Sequence, residues 1–206
     1  MTIFNNEQER FWAGKFGDEY ISRNNSDLLS ASNLNFFSKI LNRTRDVVSI
    51  AEYGCNIGMN LQSLRALSPN TELHGYEINK SAITFLEEAQ SDVIIHNKSI
   101  LERIDLEVDL TFTKGVLIHI HPDYLPIVYD NLYRNARRYI LVAEYYDPKP
   151  VSLTYRGHVN KMFKRDFAGE LLDNYQNLRL LDYGFSYHRD PTFSQDDISW
   201  FLLEKV

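Results

Sequence analysis

The sequence has little cysteine and no long apolar run, and both shortages exclude classes of protein. Its 206 residues include one cysteine, Cys55, so no disulfide can form within the chain, and we expect a cytoplasmic protein. No apolar run reaches the roughly 18 residues that a membrane-spanning helix needs. The N-terminal residues, MTIFNNEQERFWAG, lack the basic and apolar regions of a signal peptide, so we expect neither export nor a membrane partner.

Basic residues are in the minority, with 22 Lys and Arg against 28 Asp and Glu and a formal net charge of −6. This balance argues against nucleic acid as the main partner. The exception is the stretch from Arg134 to Arg165, where eight basic residues stand against Glu144 and Asp147. The excess is typical of a surface that attracts an anionic substrate, but a solvated helix face would look the same.

Strand-like and helix-like segments alternate along the chain, which predicts a parallel sheet with helices on both faces. The predicted strands are Val47–Tyr53, Thr71–Glu77, Val93–His96, Val108–Thr113 and Tyr139–Glu144. The predicted helices between them are Asn60–Ala66, Lys80–Gln90 and Pro122–Asn135. Two further strands, Leu178–Tyr187 and Ser199–Glu204, are too close together for a helical crossover, so we expect them to be antiparallel. The fold class is therefore α/β, a doubly wound, mostly parallel seven-stranded sheet with an antiparallel C-terminal strand.

The length predicts a single domain, residues 1–206, with two additions to the sheet. The first is an N-terminal helical cap, residues 5–42, in which Glu7–Asn24 and Ala31–Leu41 have helical character. The second is a long irregular loop, residues 145–170, on the substrate side. Long loops beside a ligand crevice are often substrate lids.

The strongest motif is VVSIAEYGCNIG, from Val47 to Gly58, read together with LHGYE, which ends at Glu77. A strand, a glycine turn into a helix and a carboxylate at the tip of the next strand is the arrangement that holds a nucleoside cofactor. A dinucleotide fingerprint would need glycine at positions 54, 56 and 59, and the chain has Gly54, Asn56 and Met59. The motif therefore favours S-adenosylmethionine over NAD.

In this interpretation Glu77 binds the ribose hydroxyls, although a surface acid before a helix is the alternative. Glu52 orders the loop or reaches the amino group of the cofactor. Residues after the third strand lie near adenine, and residues after the fourth lie under the sulfonium. The predicted cofactor-binding residues are Arg23, Glu52, Gly54, Cys55, Asn56, Gly58, Asn60, Glu77, Ile78, Ser99, Ile100, Lys114, Gly115 and Val116.

Over nearly its whole length the chain resembles class I S-adenosylmethionine-dependent methyltransferases. More narrowly, it is similar to bacterial methylases associated with pseudaminic acid biosynthesis. The blocks that carry the narrower resemblance are FWAGKFGDEYISRN, EYGCNIGMNL, GYEIN, KGVLIHIHPDYL, EYYDPKP, YRGH and KRDFAGELLD. The resemblance implies methyl transfer to a small acceptor, an acidic sugar or sugar nucleotide of surface-glycan biosynthesis.

Polar residues after the fourth and fifth strands are the candidates for chemistry. A base is needed only if the acceptor must lose a proton, and we predict His119 or His121 for this role, with Glu144 in reserve. The two histidines could instead be metal ligands, but the sequence shows no partner cluster, and we expect no metal. The predicted acceptor-binding residues are Tyr145, Tyr155, Arg156, His158 and Arg165. Two other functions stay open: a cofactor-binding accessory protein without turnover, and a methyltransferase of RNA or another small molecule.

Overall fold

The computed structural model describes residues 6–21 and 27–206. In chain order, its strands are β1 (Ser49–Tyr53), β2 (Glu72–Glu77), β3 (Ile94–Asn97), β4 (Val108–Lys114), β5 (Ala136–Glu144), β6 (Val151–Tyr155), β7 (His158–Lys164), β8 (Leu178–Ser186) and β9 (Ile198–Lys205). Its helices are α1 (Glu7–Ala13), α2 (Lys15–Ile21), α3 (Asp27–Leu41), α4 (Met59–Leu67), α5 (Lys80–Ala89), α6 (Leu125–Asn135) and α7 (Phe167–Asn174).

Seven strands form one sheet in the order β3-β2-β1-β4-β5-β9-β8. The pairs from β3 through β5 are parallel, while β9 runs antiparallel to both β5 and β8. The predicted fold class is therefore confirmed, including the antiparallel C-terminal pair. Because the strand order reverses direction between β1 and β4, the carboxyl ends of these two strands open a crevice where ligands bind in such folds.

Helices cover both faces of the sheet, which explains why the central strands are apolar throughout. All five residues of β1 are buried. On one face, Phe37 of α3 and Leu64 of α4 belong to a core that includes Leu202 of β9. On the other face, Leu132 of α6 and Leu171 of α7 belong to a second core. No helix in the described ranges is long and apolar enough to cross a membrane.

The N-terminal segment predicted as helical, Glu7–Asn24, is two short helices that meet at Gly14, and its last residues lie outside the described ranges. Asn6 and Glu9 cap α1 reciprocally: the Asn6 side chain accepts from the Glu9 N–H, and the Glu9 carboxylate accepts from the Asn6 N–H. The pair of helices is held to the N-terminus of α5 by its cap residue Asn79, whose side-chain amide donates to the Trp12 carbonyl and to Asp18.

The segment 145–170 is not the irregular loop that we predicted. It contains the hairpin β6–β7, a separate two-stranded antiparallel sheet, followed by the start of α7. Arg156 and Gly157 make the turn with φ values of 49° and 85°. Two successive residues with positive φ are what a two-residue hairpin turn with the right twist requires. The prolines at 148 and 150 precede β6, so they do not interrupt it.

Candidate functional site

The turn after β1 brings backbone and glycines to the crevice. Gly54, Asn56 and Gly58 have φ values of 81°, 48° and 77°, so each has the left-handed conformation. A Cβ on Gly58 would lie 2.3 Å from Leu86 Cδ1, so the close packing of this turn on α5 also requires glycine. Asn56 accommodates the strained conformation in place of a third glycine, as expected for this residue type.

Glu77 lies at the carboxyl end of β2, beside that turn. Its carboxylate accepts hydrogen bonds at 2.8 Å from the backbone N–H groups of Asn56, Ile78 and Asn79. Burial raises the pKa of Glu77, and the three N–H groups oppose this shift. Each carboxylate oxygen can accept two hydrogen bonds, so the side chain retains acceptor capacity for a ligand hydroxyl.

A cavity with about 1410 Å³ of empty space, open solvent at its mouth included, extends along these elements. It is lined by eleven of the predicted cofactor-binding residues: Gly54, Cys55, Asn56, Asn60, Glu77, Ile78, Ser99, Ile100, Lys114, Gly115 and Val116. Gly58 and Glu52 are not among the lining residues but support the turn from behind. Arg23 lies outside the described residues.

Glu52 is a buried carboxylate behind the cavity wall. Its Oε1 accepts from the side-chain amide of Asn60 at 2.6 Å, and its Oε2 has no hydrogen-bond partner among the described residues. Burial raises the pKa of Glu52 to about 8, although the Asn60 hydrogen bond and the positive charge of Lys114 oppose this. The cost of an unpartnered charge on this buried oxygen keeps the carboxyl group protonated at neutral pH.

The raised pKa of Glu52 predicts a pH-dependent stability. An acid whose folded-state pKa exceeds its unfolded value of 4.5 binds its proton more tightly in the folded protein. Its ionisation therefore lowers the free energy of unfolding as the pH rises from about 4.5 to about 8. Glu52→Gln cannot ionise, and its amide oxygen can still accept from Asn60. Relative to wild type, the variant should gain stability between about pH 5 and pH 9, by about 1 kcal/mol or more.

Urea denaturation of both proteins across this pH range measures the effect. Glu88→Gln, at an exposed position of α5, is the matched control. A stability difference between Glu52→Gln and wild type that stays constant with pH would contradict the assignment.

His119 lies on the short 3₁₀ turn that follows β4 and lines the cavity. Its Nδ1 lies 2.8 Å from the Lys161 carbonyl oxygen, so the neutral ring donates from Nδ1 and leaves Nε2 as an acceptor. Burial lowers the pKa of His119 to about 4. The ring also packs against Trp12 and Tyr155, with centroid distances of 4.5 and 4.9 Å. His119 is therefore a neutral imidazole held in one orientation.

The other two predicted bases are placed differently. His121 also lines the cavity but is partly exposed, with its Nδ1 3.4 Å from the Asp123 carboxylate. Glu144 is buried and is not among the cavity-lining residues. Its carboxylate accepts from the backbone N–H groups of residues 116–118, at 3.0, 3.0 and 3.4 Å. Burial raises the pKa of Glu144 to about 7 against these hydrogen bonds. Glu144 thus holds the turn that carries His119.

None of the five predicted acceptor-binding residues is among those that line the cavity. Two of them, Tyr155 and His158, join an aromatic cluster with Phe11 and Phe16 of the N-terminal helices. Tyr145 packs between the two cores, with Lys164 Nζ 5.3 Å from its ring centre. The acceptor roles predicted for these residues stay predictions.

The basic stretch from Arg134 to Arg165 is largely neutralised by ion pairs. Five of its eight basic residues have carboxylate partners: Arg134, Arg137, Arg138, Lys161 and Arg165. The Arg165 guanidinium contacts Glu170 at 2.5 Å, and Arg156 lies exposed at the tip of the hairpin. These contacts favour a structural role for most of the basic residues in this stretch.

Several cavity residues escaped the sequence analysis because they come from the N-terminal helices and from the loop before β9. Gln8, Glu9, Trp12, Tyr20, Asn33 and Asp196 all line the cavity. Glu9 receives a buried hydrogen bond of 2.5 Å from the Ser99 hydroxyl, 90 residues away in the chain. The Asn6-x-x-Glu9 capping signal predicts the start of a helix, but nothing local to it predicts the contact with Ser99.

Solved structures that share this fold include several methyltransferases. Magnesium protoporphyrin IX methyltransferase (ChlM) from Synechocystis PCC 6803, crystallised with S-adenosylhomocysteine, matches with a TM-score of 0.69 and 11% identity, over 96% of this chain and 97% of that chain. The O-methyltransferase of a trans-AT PKS multienzyme of Brevibacillus brevis, also in complex with S-adenosyl-L-homocysteine, matches with a TM-score of 0.65 and 14% identity, over 100% and 82%. An S-adenosylmethionine-dependent methyltransferase from Clostridium acetobutylicum ATCC 824 matches with a TM-score of 0.66 and 10% identity, over 92% of this chain and 97% of that chain.

At these identities the similarity is one of fold. The chain has the Rossmann-like fold of class I methyltransferases, with its antiparallel strand in the position that the sequence analysis predicted. No family model and no curated protein sequence matches the chain. In residues 6–21 and 27–206, no group of three or more His, Cys, Asp and Glu side chains is placed to hold a metal ion.

Proposed function

We propose that the protein is an S-adenosylmethionine-dependent methyltransferase that acts on a small acceptor. The observation that carries this proposal is Glu77, a carboxylate on the cavity wall at the end of β2, directly beside the glycine turn that follows β1. The residues present fit this cofactor. Glu77 has acceptor capacity for a ribose hydroxyl, and Glu52, behind the cavity wall, orients the side-chain amide of the cavity-lining residue Asn60.

When bound, S-adenosylmethionine supplies an electrophilic methyl group. The task of the chain is then to align an acceptor with that group and to exclude water. Trp12, Tyr20 and His119 form an aromatic part of the cavity wall together with Gly115 and Val116, the residues next to which we expect the methyl group. The N-terminal helices α1 and α2 cover this region. They are held there by the Glu9–Ser99 and Asn79–Trp12 hydrogen bonds.

We assign to His119 Nε2 the role of base, which takes the proton that the acceptor loses. The low pKa of His119 makes it a weak base at neutral pH. A weak base suffices here, because an alcohol becomes strongly acidic once its oxygen begins to bond the methyl carbon. Glu144 serves as a positioning residue, since its carboxylate fixes the backbone of the turn that presents His119.

The resemblance of the sequence to methylases associated with pseudaminic acid biosynthesis supports an acidic sugar or sugar nucleotide as the acceptor. A cofactor-binding protein without turnover needs no base beside the cofactor, whereas His119 and His121 both line the cavity. The pairing of five of the eight basic residues between Arg134 and Arg165 with carboxylates gives no support to RNA as the acceptor.

A mass-spectrometric screen tests the proposal. Purified protein is incubated with S-adenosylmethionine and a panel of acidic sugars, their nucleotide-activated forms and neutral sugars. We expect a product heavier by one methylene unit from an acidic member, with stoichiometric S-adenosylhomocysteine. Methylation of neutral sugars alone would overturn the acceptor class. The absence of both cofactor binding and product would overturn the proposed function.

A further inference from the structure

A lysine inside the cavity has too few partners for its charge. Lys114 ends β4 and lines the cavity. Among the described residues its Nζ makes one hydrogen bond, to Asn33 Oδ1 at 3.3 Å, although an ammonium group has three donors. Burial lowers the pKa of Lys114, while the negative charges of Glu52, Asp196 and Glu144 oppose this shift. None of these carboxylates forms an ion pair with it in the described part of the chain.

The surroundings of Lys114 are polar and fixed. Asn33 is buried in α3, and its Oδ1 also accepts from the Gln195 side-chain amide at 3.0 Å. The Oε1 of Gln195, itself buried, has no partner among the described residues. Lys114 Nζ also lies over the ring of Phe36, 5.8 Å from the ring centre. Asn33 and Gln195 thus orient the ammonium group without neutralising it.

The other basic side chains do not offer the same geometry. Lys98, the other lysine among the residues that line the cavity, donates from Nζ to the Arg103 carbonyl at 2.6 Å in an exposed position. Arg165 is paired with Glu170, and Arg156 is exposed on the hairpin. A partly desolvated cation with free donors is the stronger site for an anion, because burial strengthens charge-assisted hydrogen bonds.

We propose that Lys114, oriented by Asn33 and Gln195, is a carboxylate-binding subsite of the cavity. This inference rests on the proposed function, because two ligands of that reaction carry a carboxylate. One source is the methionyl part of the cofactor, and the other is an acidic acceptor. In either case the carboxylate receives hydrogen bonds from Lys114 Nζ and replaces the partners that the protein does not supply.

Calorimetry with Lys114→Met separates the two sources. Methionine keeps most of the side-chain length and removes the charge, so the variant should fold, and its melting temperature is measured first. The nucleoside probes are S-adenosylhomocysteine, which has the carboxylate, and 5′-methylthioadenosine, which lacks the whole amino-acid group. The acid probe is N-acetylneuraminate, a nine-carbon sugar acid, tested with its methyl ester in the presence of saturating S-adenosylhomocysteine.

If the cofactor supplies the carboxylate, Lys114→Met should weaken S-adenosylhomocysteine binding by roughly 10- to 100-fold and leave 5′-methylthioadenosine binding unchanged. If the acceptor supplies it, the variant should bind both nucleosides normally but lose the sugar acid, and wild type should discriminate against the methyl ester. Lys39→Met, at an exposed position of α3 outside the cavity lining, is the matched control and should behave as wild type in every titration.

Two results would overturn the subsite. One is a Lys114→Met variant with wild-type affinity for S-adenosylhomocysteine and for the sugar acid. The other is an equal loss of 5′-methylthioadenosine binding, which would show a general disturbance of the cavity. Both results leave nucleoside binding by the wild-type protein intact. Failure of the proposed function is distinguishable, because wild type itself would then bind neither nucleoside.

Discussion

Replacing Glu77 by alanine is expected to weaken S-adenosylmethionine binding by about 10- to 100-fold or more. Three backbone N–H groups leave Glu77 one further acceptor position, and a charge-assisted hydrogen bond from a ribose hydroxyl there contributes about 1.5–3 kcal/mol at most. The substitution also frees the backbone N–H groups of Asn56, Ile78 and Asn79 from their shared acceptor, so the glycine turn loses its anchor. Isothermal titration with S-adenosylhomocysteine measures the loss.

Glu77→Gln and Glu88→Ala are the companion variants. The glutamine variant keeps the side-chain shape but places an amide where the backbone donors and the ribose hydroxyls need acceptors, so we expect an intermediate loss. Glu88 is exposed on α5, and its replacement should change nothing. Equal affinity in wild type and Glu77→Ala would disprove the ribose contact, and tight binding of NAD by wild type would disprove the cofactor.

Replacing His119 is expected to lower turnover by about 10²–10⁴-fold, the usual effect of losing a group that accepts the acceptor's proton. Cofactor affinity should change little. Because the pKa of His119 is lowered to about 4, its Nε2 is unprotonated at neutral pH, and no loss of activity between about pH 6 and pH 9 should trace to this residue.

The choice of variants separates chemistry from packing. In His119→Asn the side-chain amide can still donate to the Lys161 carbonyl, whereas His119→Ala also removes that hydrogen bond. We expect both variants to lose turnover and the alanine variant alone to lose much stability. A large loss in His121→Ala instead would move the role to His121. Near wild-type turnover in the His119 and His121 variants would mean that alignment alone drives the reaction.

The parts of the fold that the sequence predicted are those with strong local constraints. The turn after β1 needs positive φ at positions 54 and 58, and glycine is the residue that adopts it freely. The apolar central strands are buried on both faces, so their runs are continuous and easily recognised. The short spacing between β8 and β9 excludes a helical crossover, and this predicted their antiparallel pairing.

The hairpin β6–β7 was missed although its sequence carries a signal. Apolar and polar residues alternate in VSLTY, and an Arg-Gly turn follows. Alternation of this kind is typical of a strand with one buried face. The prolines just before it and the basic residues around it favoured a loop. Val151 and Leu153 are exposed, and Tyr155 at the end of β6 packs against Phe16, which is far away in sequence.

The acceptor side of the site could not be predicted because it depends on contacts between distant segments. The charge of Arg165 is cancelled by Glu170 across a turn, and Lys161 is paired with Glu7 of α1. The composition of a segment therefore does not show which of its basic residues keep an unpaired charge. The same holds for Lys114: its place after β4 predicted a contact with the cofactor, but its hydrogen-bond partner, Asn33 of α3, comes from a distant segment.

A crystal structure of the protein with S-adenosylhomocysteine tests the central claim most directly. We predict that the ribose hydroxyls lie within hydrogen-bond distance of Glu77, with the homocysteine along the turn from Gly54 to Gly58 and the sulfur near Gly115. A nucleoside bound outside this cavity, or one whose ribose lies away from Glu77, would contradict the account.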